Sequence, residues 1–344
     1  MNDIRPPIGV LLVQLGTPDS PSVPDVRRYL RGFLSDPRVL DMPAPARALL
    51  LNAVILPFRL RRSAEAYEKI WTAQGSPLLF HTGALTARVG ELLGDGYRVT
   101  YGMRYRNPPL STAIRELLDA GCTRLIVLPL FPQYASASTG SALDAVLDAT
   151  RKRWNVPDLT TIGAFYDHPG FVRSVAGIAR SALDEFRPDH VLFSYHGLPE
   201  KQIRKSDPTR NWCFQQPGCC DQIAEANRFC YRAQSFATTR ALALELGLAE
   251  DTYSTTFQSR LGGQKWIEPY TDKELPELYD CGVRRLAVLT PSFTADCLET
   301  TEEIGIRGRG RWVELGGEDF LLVPCVNADP FWAAAVADMV RAAV

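Results

Sequence analysis

Phe193-Ser194-Tyr195-His196-Gly197-Leu198-Pro199 follows an apolar run that begins at His190, and a glycine and a proline close it. A short apolar run ended in this way is how a buried parallel strand reaches the rim of an α/β sheet. His196, one of four histidines, then falls just beyond a strand's carboxyl end, where open α/β sheets hold their ligands. By itself it also fits a satisfied structural histidine. A second stretch about a hundred residues on weighs toward function. Phe293-Thr294-Ala295-Asp296-Cys297-Leu298-Glu299-Thr300-Thr301-Glu302-Glu303 follows the apolar strand 286–289 and carries four carboxylates.

Working outward, strands are expected over residues 9–15, 98–104, 124–130 and 159–165, with helical stretches between them. Strands alternating with helices imply a doubly wound parallel sheet. The pattern then recurs. Residues 116–128 (ELLDAGCTRLIVL) align with 277–289 (ELYDCGVRRLAVL) at an offset of 161. At the same offset His168-Pro169 falls on Asp329-Pro330, just after the apolar stretch 320–326. Strand 98–104 resembles 253–260, and the strand ending at Gly16-Thr17-Pro18 resembles 191–199. The expectation is α/β: two Rossmann-like, four-stranded halves related by internal duplication, with a cleft between their strand ends. The first half is expected over residues 1–168 and the second over 169–329, with a last amphipathic helix, 330–344, packing across both. On this expectation Gly16, Arg104 and Tyr134 line one wall, and His196, Arg260, Phe293 and Glu299 the other.

A chain of 344 residues has room for two cores, and 46% apolar with 22% charged residues is a globular profile. A net charge of −1 argues against a nucleic-acid partner. Met1-Asn2-Asp3-Ile4-Arg5-Pro6 lacks the basic start of an export signal, so the expected location is cytoplasmic. The longest apolar run, 48–58, is broken by Asn52 and Pro57 and is too short to span a bilayer. Eight cysteines in such a compartment imply free thiols or metal ligands rather than disulfides.

No Gly-x-Gly-x-x-Gly or phosphate-binding loop follows any strand, which argues against nicotinamide and nucleoside triphosphate chemistry. Glu299 and Glu303, four apart, are expected on one face of an α-helix, with Glu302 turned away and Asp296 at the first turn. Such carboxylates also fit a capped, solvated helix start. Facing a histidine, they suit proton transfer or a hard divalent cation. They do not make a closed zinc site, which commits four ligands.

Six motifs together are specific. They are Val13-Gln14-Leu15-Gly16-Thr17-Pro18; Tyr101-Gly102-Met103-Arg104-Tyr105; Pro132-Gln133-Tyr134 with Ser138-Thr139-Gly140-Ser141; Ser194-Tyr195-His196-Gly197-Leu198-Pro199; Phe257-Gln258-Ser259-Arg260 with Trp266; and Phe293-Thr294-Ala295-Asp296-Cys297-Leu298-Glu299-Thr300. In this order they resemble the ferrochelatases, which insert ferrous iron into a porphyrin at the end of haem synthesis. The resemblance implies the two-half fold, with His196 and Glu299 as the metal-site and catalytic pair on opposite sides of the porphyrin. Asp296 and Glu303 then belong to a path for protons or iron. Leu15, Tyr105, Tyr134, Ser141, Trp266 and Phe293 become porphyrin-binding residues, and Arg104 or Arg260 serves the propionates. The substrates implied are Fe(2+) and protoporphyrin IX, giving protohaem. Coproporphyrin III is the alternative; Leu15 favours protoporphyrin, because coproporphyrin-type members tend to carry tyrosine there. A cobalt or nickel chelatase, or a tetrapyrrole or metal carrier without turnover, are further alternatives.

Residues 27–71 match the family's lip over the porphyrin. Within it, the apolar stretch and the arginines of 48–62 fit either a segment dipping into the inner face of the cell membrane or an ordinary buried amphipathic helix. Between residues 207 and 237 lie Cys213, Cys219, Cys220 and Cys230, four of the eight cysteines, beside the turn Pro217-Gly218. Thiolates so dense suggest a cluster or a zinc site. Some bacterial ferrochelatases carry an internal four-cysteine 2Fe-2S site, and the resemblance implies one here. Cys122, Cys281 and Cys325 are expected in the core, and Cys297 is expected to point away from Glu299. Monomer against oligomer stays open.

Overall fold

The computed structural model describes residues 6–260 and 262–344. The N-terminal segment considered for export, residues 1–5, lies outside them. Among the described residues the strands form two four-stranded parallel sheets. The first contains β1 (Ile8–Gly16), β2 (Tyr97–Tyr105), β3 (Arg124–Pro129) and β4 (Asp158–Thr161) in the order β2-β1-β3-β4. The second contains β5 (His190–His196), β6 (Tyr253–Gln258), β7 (Arg285–Leu289) and β8 (Asp319–Leu322) in the order β6-β5-β7-β8. Two sheets with one strand order are what the repeated sequence pattern implies.

The central strands explain why their sequences are near-continuous apolar runs. Val10 to Val13 in β1 and Leu192, Phe193 and Tyr195 in β5 are buried, because helices cover both faces of a parallel sheet. The edge strands β4 and β8 are shorter than expected. β4 stops at Thr161, just before Gly163, and β8 stops at Leu322, two residues before Pro324, which has no N–H for a ladder bond.

The chain divides into two compact units. One comprises residues 1–131, 136–163 and 327–344; the other comprises 132–135 and 164–326. Tyr134 thus groups with the second sheet, where its N–H donates to Gln234 Oε1 at 2.6 Å and its ring packs against Phe229. His168-Pro169 and Asp329-Pro330 hold equivalent places. His168 Nδ1 accepts from Gly170 N, and Asp329 accepts from Phe331 N and Trp332 N, so each dipeptide caps and begins a helix. The last helix, Pro330–Ala342, belongs to the first unit. Arg341 there donates to the Leu92 carbonyl, and Arg124 at the start of β3 donates to the Ala343 and Val344 carbonyls.

In the first unit, residues 44–70 run continuously through Ala44–Leu49, a π-helical segment Leu50–Ile55, and Leu56–Ile70. Leu51, Ile55, Leu56, Leu60, Ala64 and Tyr67 are buried at intervals of mostly three to five residues. That leaves Leu49 and Phe58 68% and 80% exposed on the other side.

Candidate active site

In the second unit β5 delivers His196 to the sheet rim. The turn that follows depends on Gly197: its N–H donates to the Gln258 carbonyl on β6 at 2.7 Å, and a Cβ there would stand 2.6 Å from that oxygen. Trp266 packs over the same glycine. The His196 N–H donates to Ser292 Oγ, and its ring meets Phe293 edge-on at 6.4 Å. His196 Nδ1 lies 2.6 Å from the Gly197 carbonyl. A carbonyl can only accept, so Nδ1 carries a proton, and in the neutral ring the lone pair is on Nε2.

The carboxylates come from a segment that departs from expectation. Leu298–Gly308 is a π-helix rather than an α-helix. The local sequence explains this. Thr300 Oγ1 accepts from the Cys297 N–H at 3.0 Å and also contacts the Cys297 carbonyl, competing with the regular backbone ladder. Gly305 and Gly308 add little helix propensity. The wider turn brings Glu302 inward, 3% exposed, to pair with Arg307, five residues on, at 2.8 Å. Glu303 accepts from the Ser259 N–H at 2.9 Å and from its hydroxyl. Burial raises the Glu303 carboxyl above its ordinary range, and Ser259, His196 and Arg307 partly offset this. Asp296 precedes the helix and is turned to structure, accepting from the Cys325 N–H at 3.2 Å and from Thr300.

The Cys297 expectation is also corrected. Cys297 is the N-cap of the π-helix, so helix phase does not orient it, and its buried thiol contacts the Glu299 carboxylate. Burial first, then that carboxylate, raises the thiol well above its ordinary pKa. Cys122 and Cys325 are buried as expected, whereas Cys281 is exposed at the end of the helix Thr271–Asp280.

Sequence reasoning did not single out Gln258, Ser259 or Ser194. Gln258 Oε1 accepts from Ser194 Oγ at 2.7 Å, and its Nε2 donates to the Glu299 carbonyl at 2.8 Å, so a buried amide ties β5 to the start of the acidic helix. Ser259 adopts a φ of +68°, and Glu303 holds it there from both N–H and hydroxyl. Arg260 pairs with Asp272 and stacks on Tyr270, with 4.0 Å from its guanidinium carbon to the ring centre.

In the first unit the strand ends hold Leu15, half-buried, and then Gly16 at a φ of +118°, where a Cβ would stand 2.0 Å from the Tyr105 carbonyl. Arg104 and Tyr105 of β2 converge on a residue sequence reasoning missed. Asp36 accepts from Arg104 Nη2 at 2.8 Å, from the Tyr105 hydroxyl at 2.8 Å and from Ser141 Oγ at 2.6 Å. Burial pushes the Asp36 carboxyl up, but Ser141, the Arg38 N–H, Tyr105 and Arg104 together hold it below its usual range. Both arginines expected to serve propionates are thus already paired with aspartates. No sequence pattern marks Asp36, which stands alone in the turn after the helix Val23–Leu34.

The cysteine insert is organised by Asp207, another residue without a sequence signal. It accepts from the N–H groups of Thr209, Trp212 and Cys213 and from the Thr209 hydroxyl. Against its burial, these bonds hold its carboxyl down at about 2. Cys213, Cys219, Cys220 and Cys230 are all buried. Their thiols form a chain: Cys230 contacts Cys213 and Cys220, and Cys220 Sγ lies 3.8 Å from Cys219 Sγ. The Cys213 contact and burial push Cys230 up to about 12. Among the described residues no three or more His, Cys, Asp or Glu side chains are already set around a metal position.

The ferrochelatase family model matches residues 7–344. A ferrochelatase from Coxiella burnetii is 50% identical over 334 residues, covering 97% of this chain and 93% of that protein. One from Legionella pneumophila is 46% identical over 334 residues, covering 97% and 98%. Among solved structures, SirB from Bacillus subtilis with Fe3+ superposes with a TM-score of 0.54 at 12% identity, covering 97% of this chain and 94% of that one. DR2241 from Deinococcus radiodurans, a multi-domain protein with structural similarity to chelatases, superposes at 0.52 and 11% identity, covering 97% and 55%. Those likenesses show the chelatase fold; the extent and identity of the sequence matches show that the chain belongs to the ferrochelatase family of metal-insertion enzymes.

Proposed function

We propose that the chain inserts Fe(2+) into protoporphyrin IX, with His196 as proton acceptor and Glu299 and Glu303 as the carboxylates that handle iron or protons. The observation that carries this is the pairing, within one unit, of a histidine whose Nδ1 is held by the Gly197 carbonyl and a carboxylate whose ionisation is disfavoured by burial. Insertion requires that two pyrrole N–H protons leave, that the hydrated iron lose water, and that the ring buckle so that nitrogen lone pairs meet the metal. The lone pair of a neutral imidazole can accept a pyrrole proton. Glu303 suits relaying one, since its protonated and ionised forms are brought closer in energy by burial. Trp266 and Phe293 beside His196 offer aromatic surface suited to a flat macrocycle. Leu15 also favours protoporphyrin over coproporphyrin.

The test is anaerobic Fe(2+) insertion with both porphyrins side by side, for the parent and His196→Ala, with porphyrin binding measured separately. The expected result is turnover of protoporphyrin that His196→Ala abolishes while binding persists. Turnover within a few-fold of the parent would remove His196 from the chemistry, and binding without parental turnover would make the chain a carrier.

The reading of the four insert thiols as 2Fe-2S ligands is supported by their burial, their chain of contacts and the hold of Asp207 on Cys213. Cys213, Cys219, Cys220 and Cys230 would hold the cluster. When bound, it would supply folding energy to an otherwise polar insert and a one-electron redox centre. The reaction above does not pass through it.

Contact with a membrane surface is supported by Leu49 and Phe58, exposed beside Arg59, Arg61 and Arg62. Among the described residues no helix is long and apolar enough to cross a membrane.

A further inference from the structure

The helix Tyr231–Leu246 carries Arg232, Phe236 and Arg240 four residues apart, hence on one face. With the helix Glu200–Ser206 and the cysteine insert, that face encloses an open cavity of about 700 Å³. Its walls include Arg204, Phe214, Arg232, Phe236, Arg240 and Lys265. Its carboxylates are Glu200 and Asp221, so cations exceed acids. Glu200 is already committed, to Lys265 at 3.0 Å and Arg204 at 3.5 Å. Arg240 is exposed and makes no ion pair or hydrogen bond among the described residues.

The aromatic walls are built rather than incidental. Phe214 has a φ of +60°, which a bulky L residue adopts only under constraint. Its ring lies between Arg204 and Arg232, 4.9 and 5.9 Å from their guanidinium carbons, and Arg232 also stacks on Phe236 at 4.7 Å. Arg204 donates to the Cys213 carbonyl and Glu200, and Arg232 Nε donates to the Glu268 carbonyl, so Arg240 and the remaining Arg232 N–H groups are what the cavity offers a planar carboxylate. The cavity has the size of a small-molecule site.

We propose that this cavity binds a small organic anion with two or more carboxylates on a flat apolar body. The guanidiniums select carboxylates, and the two phenyl rings select an organic body over a bare inorganic ion. Cys219 and Cys220 also line the cavity, so it borders the four insert thiols.

Calorimetric titration of the purified full chain, at fixed ionic strength, with trimesate (a flat benzene tricarboxylate), citrate and inorganic phosphate tests this. Saturable binding is expected, tightest for trimesate and weakest for phosphate. Arg240→Gln, at an exposed position, should weaken trimesate at least tenfold with an unchanged melting temperature. Phe236→Leu should weaken trimesate more than citrate. Absence of saturable trimesate binding, equal affinity in Arg240→Gln, or phosphate binding as tight as trimesate would overturn the proposal. So would trimesate binding that saturating protoporphyrin abolishes, because the anion would then occupy the substrate site.

Discussion

Replacing Gly197 with alanine tests whether the turn after β5 positions His196. The added Cβ would lie 2.6 Å from the Gln258 carbonyl oxygen and 3.3 Å from Cε3 of Trp266. Close C···O contacts in proteins begin near ~3.3 Å, so one side must yield by about 0.7 Å. The oxygen belongs to β6 and already accepts the Gly197 N–H at 2.7 Å, so it cannot retreat without weakening that bond. Overpacking costs roughly 1–3 kcal/mol and the hydrogen bond about 1 kcal/mol, giving an expected loss of about 2–4 kcal/mol. His196 is the preceding residue and must shift by several tenths of an ångström. A misplacement of about 1 Å can cost ~100-fold in rate, so a fall of roughly tenfold or more in insertion is expected. The assay is the initial rate of protoporphyrin fluorescence loss with anaerobic Fe(2+), beside urea unfolding. Gly263→Ala is the control, since nothing lies within 4 Å of its Cβ position. Parental rate and stability in Gly197→Ala would refute the argument that backbone contact at this glycine sets the histidine.

Ser259→Ala removes one bond that favours ionised Glu303, so its carboxyl should rise further. If insertion needs Glu303 ionised, the acid limb of kcat/KM moves to higher pH by roughly one to two units, from a charge-assisted bond of about 1.5–3 kcal/mol. Because burial raises this carboxyl, its contribution to folding is present at low pH and lost as pH rises through the folded value, so the variant should lose more stability at high pH than at low; an unchanged pH profile would separate Glu303 from the chemistry. Glu302→Gln should lower unfolding free energy by about 1–3 kcal/mol through the Arg307 pair, with a smaller effect on kcat than Glu299→Gln; equal kcat losses would place Glu302 in the chemistry. Anaerobically purified protein should carry iron and acid-labile sulfide with visible absorption, all lost in Cys213→Ser and Cys230→Ser. A colourless protein with stoichiometric zinc would replace the cluster by zinc, and a metal-free protein of normal stability would leave the cysteines as core residues.

The fold was legible because burial on both faces forces parallel strands into apolar runs, and because those runs recur in one order. His196 was legible for a related reason: a strand with a glycine stop announces its own carboxyl end. The acidic helix was legible in composition but not in geometry. Thr300 and two glycines tilt the backbone to π spacing, and a periodicity of 3.6 assumes the regular ladder that Thr300 disturbs. Asp36, Gln258 and Asp207 were not legible, because each acts through hydrogen bonds to residues distant in sequence or to backbone N–H groups. Nothing in a residue's near neighbours reports such partners. The length of β4 and β8 was overestimated because apolar residues continue beyond the point where the ladder ends.

The duplicated backbone and the divergent side chains divide the work between the two units. In each unit a glycine ends the central strand against the carbonyl of the neighbouring strand: Gly16 against Tyr105, and Gly197 against Gln258. In each, the neighbouring strand donates a backbone N–H to a proline carbonyl beyond it, Met103 to Pro108 and Phe257 to Pro269. These shared contacts are main-chain ones and fix only where strand ends lie. What occupies those ends differs. In the first unit Arg104, Tyr105 and Ser141 close on Asp36 and leave a charge-balanced, rigid arrangement with no group poised to exchange a proton. In the second, His196 Nδ1 is held by the Gly197 carbonyl and burial raises the Glu303 carboxyl above its ordinary range. On the proposed function, proton transfer would fall to His196 and Glu303 of the second unit. On that proposal, substitution of Asp36, which holds Arg104, Tyr105 and Ser141, is expected to lower stability, and substitutions at His196 and Glu303 to lower turnover.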